Sequence, residues 1–278
     1  MPLDPDKLMH MPPVEAQQDL KRAEVILYAL GVGASELPFV YEEGLKALPT
    51  MAATLAFPGF MWRDPKAGVD WRRVLHGETS LVLHGPLPVE GHLTSRTTID
   101  AIIDKGADRG AVMYEVREIR LAGGAPIATV RNGSFLRGEG GFGGNSSGQP
   151  KPHPIPERAP DAVVHLPTAE NQAMIYRLSG DFNPLHIDPA VAGAAGFPRP
   201  LLHGLATYGI AGRAILSCLC ENVPERLRRL DVRFSSPVFP GETIRTQIWR
   251  EREGRAAFRA SVLERNCVVL DNGYAEFA

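Results

Sequence analysis

The stretch Leu205-Ala-Thr-Tyr208-Gly-Ile-Ala-Gly212-Arg213-Ala-Ile-Leu-Ser-Cys-Leu-Cys220 decides the architecture. It is apolar on almost every side and is broken only by Arg213. A helix with so little polar face belongs inside a core, not on a surface. The segments that follow say what surrounds it. Thr243 to Trp249 alternates with a period of two, and Ala256 to Leu263 and Cys267 to Phe277 continue as further strand candidates. Such alternation marks strands with one buried face.

Earlier residues repeat this plan. Ala23 to Gly33 and Asn171 to Gly180 each read as a helical stripe with a tyrosine near its end (Tyr28, Tyr176), stopped by glycine. Pro88 to Gly91 and Pro237 to Gly241 each precede an alternating run, and strand candidates follow at 110–119 and 126–136. Each half therefore reads as helices first and an antiparallel sheet after them, an α+β repeat. A sheet wrapped around a buried helix is the hot-dog arrangement. A helix lying on one sheet face would give a similar pattern.

Between the halves, residues 138–160 hold six glycines followed by five prolines and read as a connector. This predicts an N-terminal repeat over 1–137, a linker over 138–160 and a C-terminal repeat over 161–278. The chain has 28 Gly and 24 Pro in 278 residues, close to a fifth. Typical usage is roughly 12%, so long-helix bundles and coiled coils are excluded. Thirty Lys and Arg against 32 Asp and Glu leave a net charge of −2, which suits neither a nucleic-acid binder nor a membrane-surface protein. Cys218, Cys220 and Cys267 match no zinc pattern and are too few for a disulfide framework. With no secretory leader at Met1 to Asp6, no apolar span and no peroxisomal tail at Glu276 to Ala278, a cytoplasmic protein is expected.

The chemistry lies just before the apolar helix, in Tyr176-Arg-Leu-Ser-Gly180-Asp181-Phe-Asn183-Pro184-Leu-His186. Gly180 ends a helix, and Asp181, Asn183 and Pro184 are turn formers, so three polar side chains sit on a short, stiff loop. The structural reading is that Asp181 accepts loop N–H groups, Asn183 closes an Asx turn and His186 is a satisfied histidine. The functional reading rests on spacing, because His203-Gly204 opens the helix eighteen residues after His186. First-turn N–H groups lack intrahelical partners, and a glycine lets a ligand carbonyl approach them. Acid, base and oxyanion donor are then available together.

This run resembles the hydratase 2 motif of the MaoC-like dehydratases. Leu27 to Gly33, Val74-Leu-His76-Gly-Glu78 and Gly140 to Gly144 extend the likeness along nearly the whole chain, to the 2-enoyl-CoA hydratase 2 unit of peroxisomal multifunctional enzyme type 2. The resemblance implies a double hot-dog and an (R)-specific hydratase. Such an enzyme adds water reversibly, in syn fashion, to trans-2-enoyl-CoA, giving (3R)-hydroxyacyl-CoA. It implies that Asp181 and His186 are the acid–base pair, that Asn183 orients water or its partners, and that the Gly204 N–H binds the thioester oxygen. It also implies an acyl-CoA substrate of medium, long or bulky type, no cofactor, and a homodimer. The first half lacks the Asn-Pro-X-His run: Gly31 to Gly33 stands opposite Ser179 to Asp181, and Leu48 to Thr50 opposite Leu202 to Gly204. One active site per chain is expected, with the first half holding the acyl group.

Further substrate contacts are assigned to His203, Phe142, Gly143 and Arg228. Arg228 belongs with Arg226 and Arg229 to a basic cluster that could meet CoA phosphates or form a solvated turn. Leu75-His76-Gly77-Glu78 reads as structural support ahead of active-site contact. Asp188 reads as a cap, and no metal site is expected from His186, Asp188 and His203. Met51, Phe57, Phe60, Met61 and Trp62 read as core in preference to acyl tunnel. The competing functions are an acyl-CoA thioesterase and a non-catalytic acyl-CoA-binding or scaffold subunit.

Overall fold

A computed structural model describes residues 3–60, 67–69, 73–144 and 146–278. Met61 and Trp62 lie outside them. In chain order the first half contains α1 (Pro5–Met9), β1 (Val14–Leu20), α2 (Arg22–Gly31), α3 (Leu37–Val40), β2 (Val74–Leu83), β3 (Gly91–Asp104), β4 (Ala111–Leu121) and β5 (Pro126–Leu136). The second half contains β6 (Ala162–Pro167), α4 (Gln172–Tyr176), α5 (Pro189–Ala194), α6 (Gly204–Cys220), β7 (Leu227–Phe234), β8 (Thr243–Arg252), β9 (Arg255–Val262) and β10 (Cys267–Phe277). All ten strands form one antiparallel sheet, ordered β1-β3-β4-β5-β2-β7-β10-β9-β8-β6. Outward from the β2–β7 seam the same connectivity is met in both directions. The architecture is the α+β double hot-dog.

In each half an edge strand precedes the helix with which the sequence reading begins, β1 before α2 and β6 before α4. Val14–Leu20 and Ala162–Pro167 are short, and their burial alternates between half-buried and exposed. A reading led by apolar residues passes over such strands. Leu227–Phe234 is likewise a strand and not a turn: its seam with β2 pairs Leu81 with Leu230 and Thr79 with Val232.

Helix α6 is enclosed on nearly all sides, with Tyr208, Ile210, Ala214, Ile215 and Leu216 buried. It packs on β6, β7, β8 and β10 of its own half and on the 3-10 turn Pro49–Ala53 of the other. Two glycines permit that second approach. A Cβ on Gly209 would stand 2.5 Å from Val32 Cγ1, and one on Gly212 would stand 2.5 Å from Thr50 Cγ2. Arg213, the polar interruption, donates to the Val32 carbonyl at 3.1 Å and pairs with Glu36 at 3.0 Å, stapling the end of α2. Gln172 satisfies the last carbonyls of α2, donating to Leu30 and Gly31 at 2.8 and 2.7 Å. The matched tyrosines of the two repeats meet, with Tyr28 and Tyr176 ring centroids 6.0 Å apart.

Symmetry fails at the central helix. Where the second half has the seventeen residues of α6, the described residues of the first half have the five-residue turn Pro49–Ala53. Among the described residues, part of the inner face of the first sheet is therefore not covered by a helix.

Because Val32 and Thr50 close on α6, Gly209→Ala should cost about 1–3 kcal/mol through overpacking. This loss should exceed the roughly 1 kcal/mol that alanine gains in helix propensity. A lower denaturant midpoint with an unchanged slope is the expected result.

Candidate active site

Gly180 takes φ +113°, ends the α4 turn and swings the chain outward. The next residues are locked by their own side chains. Asp181 Oδ1 accepts the Asn183 N–H at 3.1 Å, and Asn183 Oδ1 accepts the Leu185 N–H at 3.1 Å, capping a single 3-10 turn at Pro184–His186. Asn183 thus closes an Asx turn, as the structural reading expects. Asp188 caps α5 by accepting the Ala190 N–H at 2.8 Å.

Three hydrogen bonds lace this loop to the segment entering α6. The Leu201 N–H donates to the Leu185 carbonyl at 3.2 Å. His186 Nδ1 bonds the Leu201 carbonyl at 2.9 Å, and His203 Nε2 bonds the Asp181 carbonyl at 3.1 Å. A carbonyl only accepts, so each of these ring nitrogens carries the proton. His186 therefore keeps Nε2 as a lone pair, and it faces Asp181 Oδ2 at 3.9 Å. That gap is too long for a direct hydrogen bond. One oxygen about 2.8 Å from both atoms would bridge it. The Asp181 side chain is 54% exposed and that of His186 only 11%.

Gly204 stands at the start of α6, exposed, and its N–H has no hydrogen-bond partner among the described residues. Phe234 floors the position, 3.4 Å from where a Cβ would be. The His76 ring lies 4.8 Å from Phe234, and the charge of Asp181 acts on it, so the first half reaches this site. Glu78, two residues on, turns the other way. It bonds the Tyr114 hydroxyl and pairs with Arg233 at 2.8 Å. The His76–Glu78 segment therefore splits, one residue toward the site and one supporting the sheet, with a bulge between them at Gly77. Phe234 escaped the sequence reading because no motif marks it; only the sheet register brings it beneath Gly204.

The remaining candidates are placed elsewhere. His203 is 1% exposed and stacks behind His186, with centroids 3.7 Å apart and planes at 25°, so it supports the loop in place of meeting substrate. The N–H groups of Gly141, Gly143 and Gly144 all donate to the Asp104 carboxylate, at 2.7, 2.9 and 3.2 Å, and hold its pKa low. Phe142 packs on the Leu3–Leu8–Met113 cluster. Internal bonding uses the donors of the glycine loop, in place of the CoA contact expected there. Arg228 lies exposed in β7 six residues from Phe234, roughly 20 Å away at the strand rise. Its neighbours Arg226 and Arg229 pair with Glu221 and Asp231. Met51 is buried core, whereas Phe57 and Phe60 are exposed.

Asp181, His186 and His203 bring one potential ligand atom each within 4.8 Å of one another. The donor geometry does not suit an ion. Two imidazoles stacked nearly parallel hold their lone pairs in separate planes and do not converge on one point.

Comparison with known proteins gives the family. Residues 19–138 match the MFE-2 hydratase 2 N-terminal domain, and residues 152–272 match the MaoC like domain. The chain is 42% identical to 3-hydroxyacyl-thioester dehydratase Y of Mycobacterium tuberculosis, over 91% of each chain. It is 40% identical to a probable enoyl-CoA hydratase 2 of Dictyostelium discoideum, over 99% of this chain and 97% of that one. This chain belongs to the MaoC-like hydratase 2 family. A crystal structure of a MaoC-like dehydratase from Phytophthora capsici superposes with a TM-score of 0.90 at 37% identity, covering 98% of both chains.

Burial lowers the His186 pKa, with Asp181 and the Leu201 carbonyl opposing it, and burial beside His186 lowers that of His203 to about 4. Both rings are neutral at pH 7. An unfolded histidine titrates near 6.5, so between about pH 6.5 and 4 the unfolded chain binds more protons at His203 and stability falls on acidification. The melting temperature should decline across that window. His203→Gln should make the decline shallower, as followed by thermal scans at stepped pH.

Proposed function

We propose that this hydratase 2 family member is an (R)-specific enoyl-CoA hydratase. It adds water in syn fashion to trans-2-enoyl-CoA and releases (3R)-hydroxyacyl-CoA. The 3.9 Å separation of Asp181 Oδ2 and His186 Nε2, beside the unpartnered Gly204 N–H, carries the reading. In this reading the bridging oxygen is the reacting water. One member of the pair takes its proton as the hydroxyl bonds to C3, and the C2=C3 electrons move toward the thioester. The proton returns to C2 on the same face, so no atom is left over, whichever member acts as base. Negative charge passing through the thioester oxygen meets the Gly204 N–H and the positive end of α6. An oriented donor of this kind is worth about 10²–10³ in rate, and proton transfer about 10²–10⁴. Asn183 acts by holding the loop in shape.

All the steps are taken by side chains and backbone, so the reaction as read requires no cofactor. The C-terminal repeat (161–278) supplies the chemistry. The N-terminal repeat (1–137), whose helix is reduced to Pro49–Ala53, receives a medium, long or bulky acyl group. No described helix is long and apolar enough to cross a membrane. A homodimer in the cytoplasm is the setting this reading assumes.

Incubation with crotonyl-CoA and a longer enoyl-CoA tests the activity. Loss of the conjugated-thioester absorbance with a (3R)-hydroxy product is expected, whereas thiol release without a hydroxy product would establish a thioesterase. Asp181→Ala and His186→Ala should each lower kcat by at least about 10² with an unchanged circular dichroism spectrum. Proline fits the first position of a helix but lacks the N–H, so Gly204→Pro should cost about 10²–10³ in kcat. Gly204→Ala, whose Cβ meets Phe234 at an ordinary 3.4 Å, should retain more activity. Equal rates for the two Gly204 variants would remove that donor from the mechanism.

A further inference from the structure

The inner face of the first repeat, on which Asn132, Glu115 and Ile99 are partly accessible while Leu81, Val130, Arg117 and Thr97 are buried, is not the apolar wall that an alkyl chain needs. Thr79, Asn132, Glu115 and Ile99 form one row across β2, β5, β4 and β3, and Leu81, Val130, Arg117 and Thr97 form the next. The first row is wired together from the active site inward. His76 Nε2 bonds Thr79 Oγ1 at 2.8 Å, Thr79 donates to Asn132 Oδ1 at 3.0 Å, and Asn132 Nδ2 donates to Glu115 Oε1 at 3.2 Å. In the next row Arg117 is 2% exposed and donates to the Ala52 and Ala53 carbonyls of the short turn. Its Nε, and the Oγ1 of Thr97, which is 3% exposed, have no partner among the described residues.

Burial pushes the Glu115 carboxyl up and the Arg117 guanidinium down to about 10, the response of charges held out of water. A plain alkyl chain laid on the first row would strip the remaining water from Glu115 and Asn132 without replacing it. An acyl group with a hydroxyl or keto oxygen at that depth would bond to them. Two strand spacings, about 10 Å, separate Thr79 from Glu115, so a medium-length acyl group reaches this region.

We propose that the acyl compartment of the first repeat selects acyl-CoA substrates bearing a polar oxygen function beyond the reacting double bond, over plain alkyl chains of equal length. The proposal rests on the hydratase reading. Its test therefore measures binding as well as turnover. The probes are decanoyl-CoA and 10-hydroxydecanoyl-CoA for calorimetric binding, and the corresponding trans-2-enoyl-CoAs for kcat/KM. The hydroxylated member should be favoured by about tenfold or more in both readouts. Glu115→Met should level that ratio, and the isosteric Glu115→Gln should retain it. Ratios are taken within one protein sample, so partial unfolding of a variant cancels. Equal or stronger binding of decanoyl-CoA, or a ratio indifferent to Glu115→Met, overturns the proposal. Absence of hydration with the binding preference intact would instead overturn the hydratase reading alone.

Discussion

Helix α6 has to be enclosed, and most of the molecule follows from how that is achieved. Its apolar residues face in nearly every direction, so one sheet surface cannot cover them. The β6–β10 sheet takes one side, and the other is closed by the end of α2 and the Pro49–Ala53 turn, admitted by Gly209 and Gly212. Thus the halves are not two domains in loose contact. Arg213 and Gln172 add polar staples where the chain of one half meets the helix ends of the other.

Enclosing the body of the helix leaves its first residue as the point where backbone donors emerge. The Gly180–His186 loop is anchored to that point by hydrogen bonds from Leu201, His186 and His203, which leave one acidic oxygen and one imidazole nitrogen facing each other. Preorganisation here comes from ordinary loop bonds. Asx turns shape the loop, a buried histidine backs it, and the atoms proposed to react are those left without a structural duty.

The two repeats then differ through a loss. A full central helix in the first half would have covered the face on which His76, Asn132 and Glu115 now lie partly accessible. Reduction to five residues opens that face, while the seam between β2 and β7 keeps it beside the chemistry. Phe234 stands at this seam, with His76 on one side and Gly204 on the other.

Much of this was legible in the chain. Long alternating runs and one helix without a polar face announced the repeated α+β plan, because periodicity and burial are local consequences of side-chain order. The spacing of Asp181, Asn183, His186 and Gly204 likewise singled out the loop, since turn chemistry acts over a few residues. The edge strands β1 and β6 were hidden by their half-exposed surfaces. The duties of Gly143, Phe142 and His203 were also hidden: whether a donor serves a ligand or an internal carboxylate depends on what the fold brings opposite it. The order of residues determined which groups could do chemistry and on which elements they ride. Only the tertiary structure decided which of them meet, because sheet register and helix packing join residues a hundred or more positions apart, as His76 is brought to Asp181.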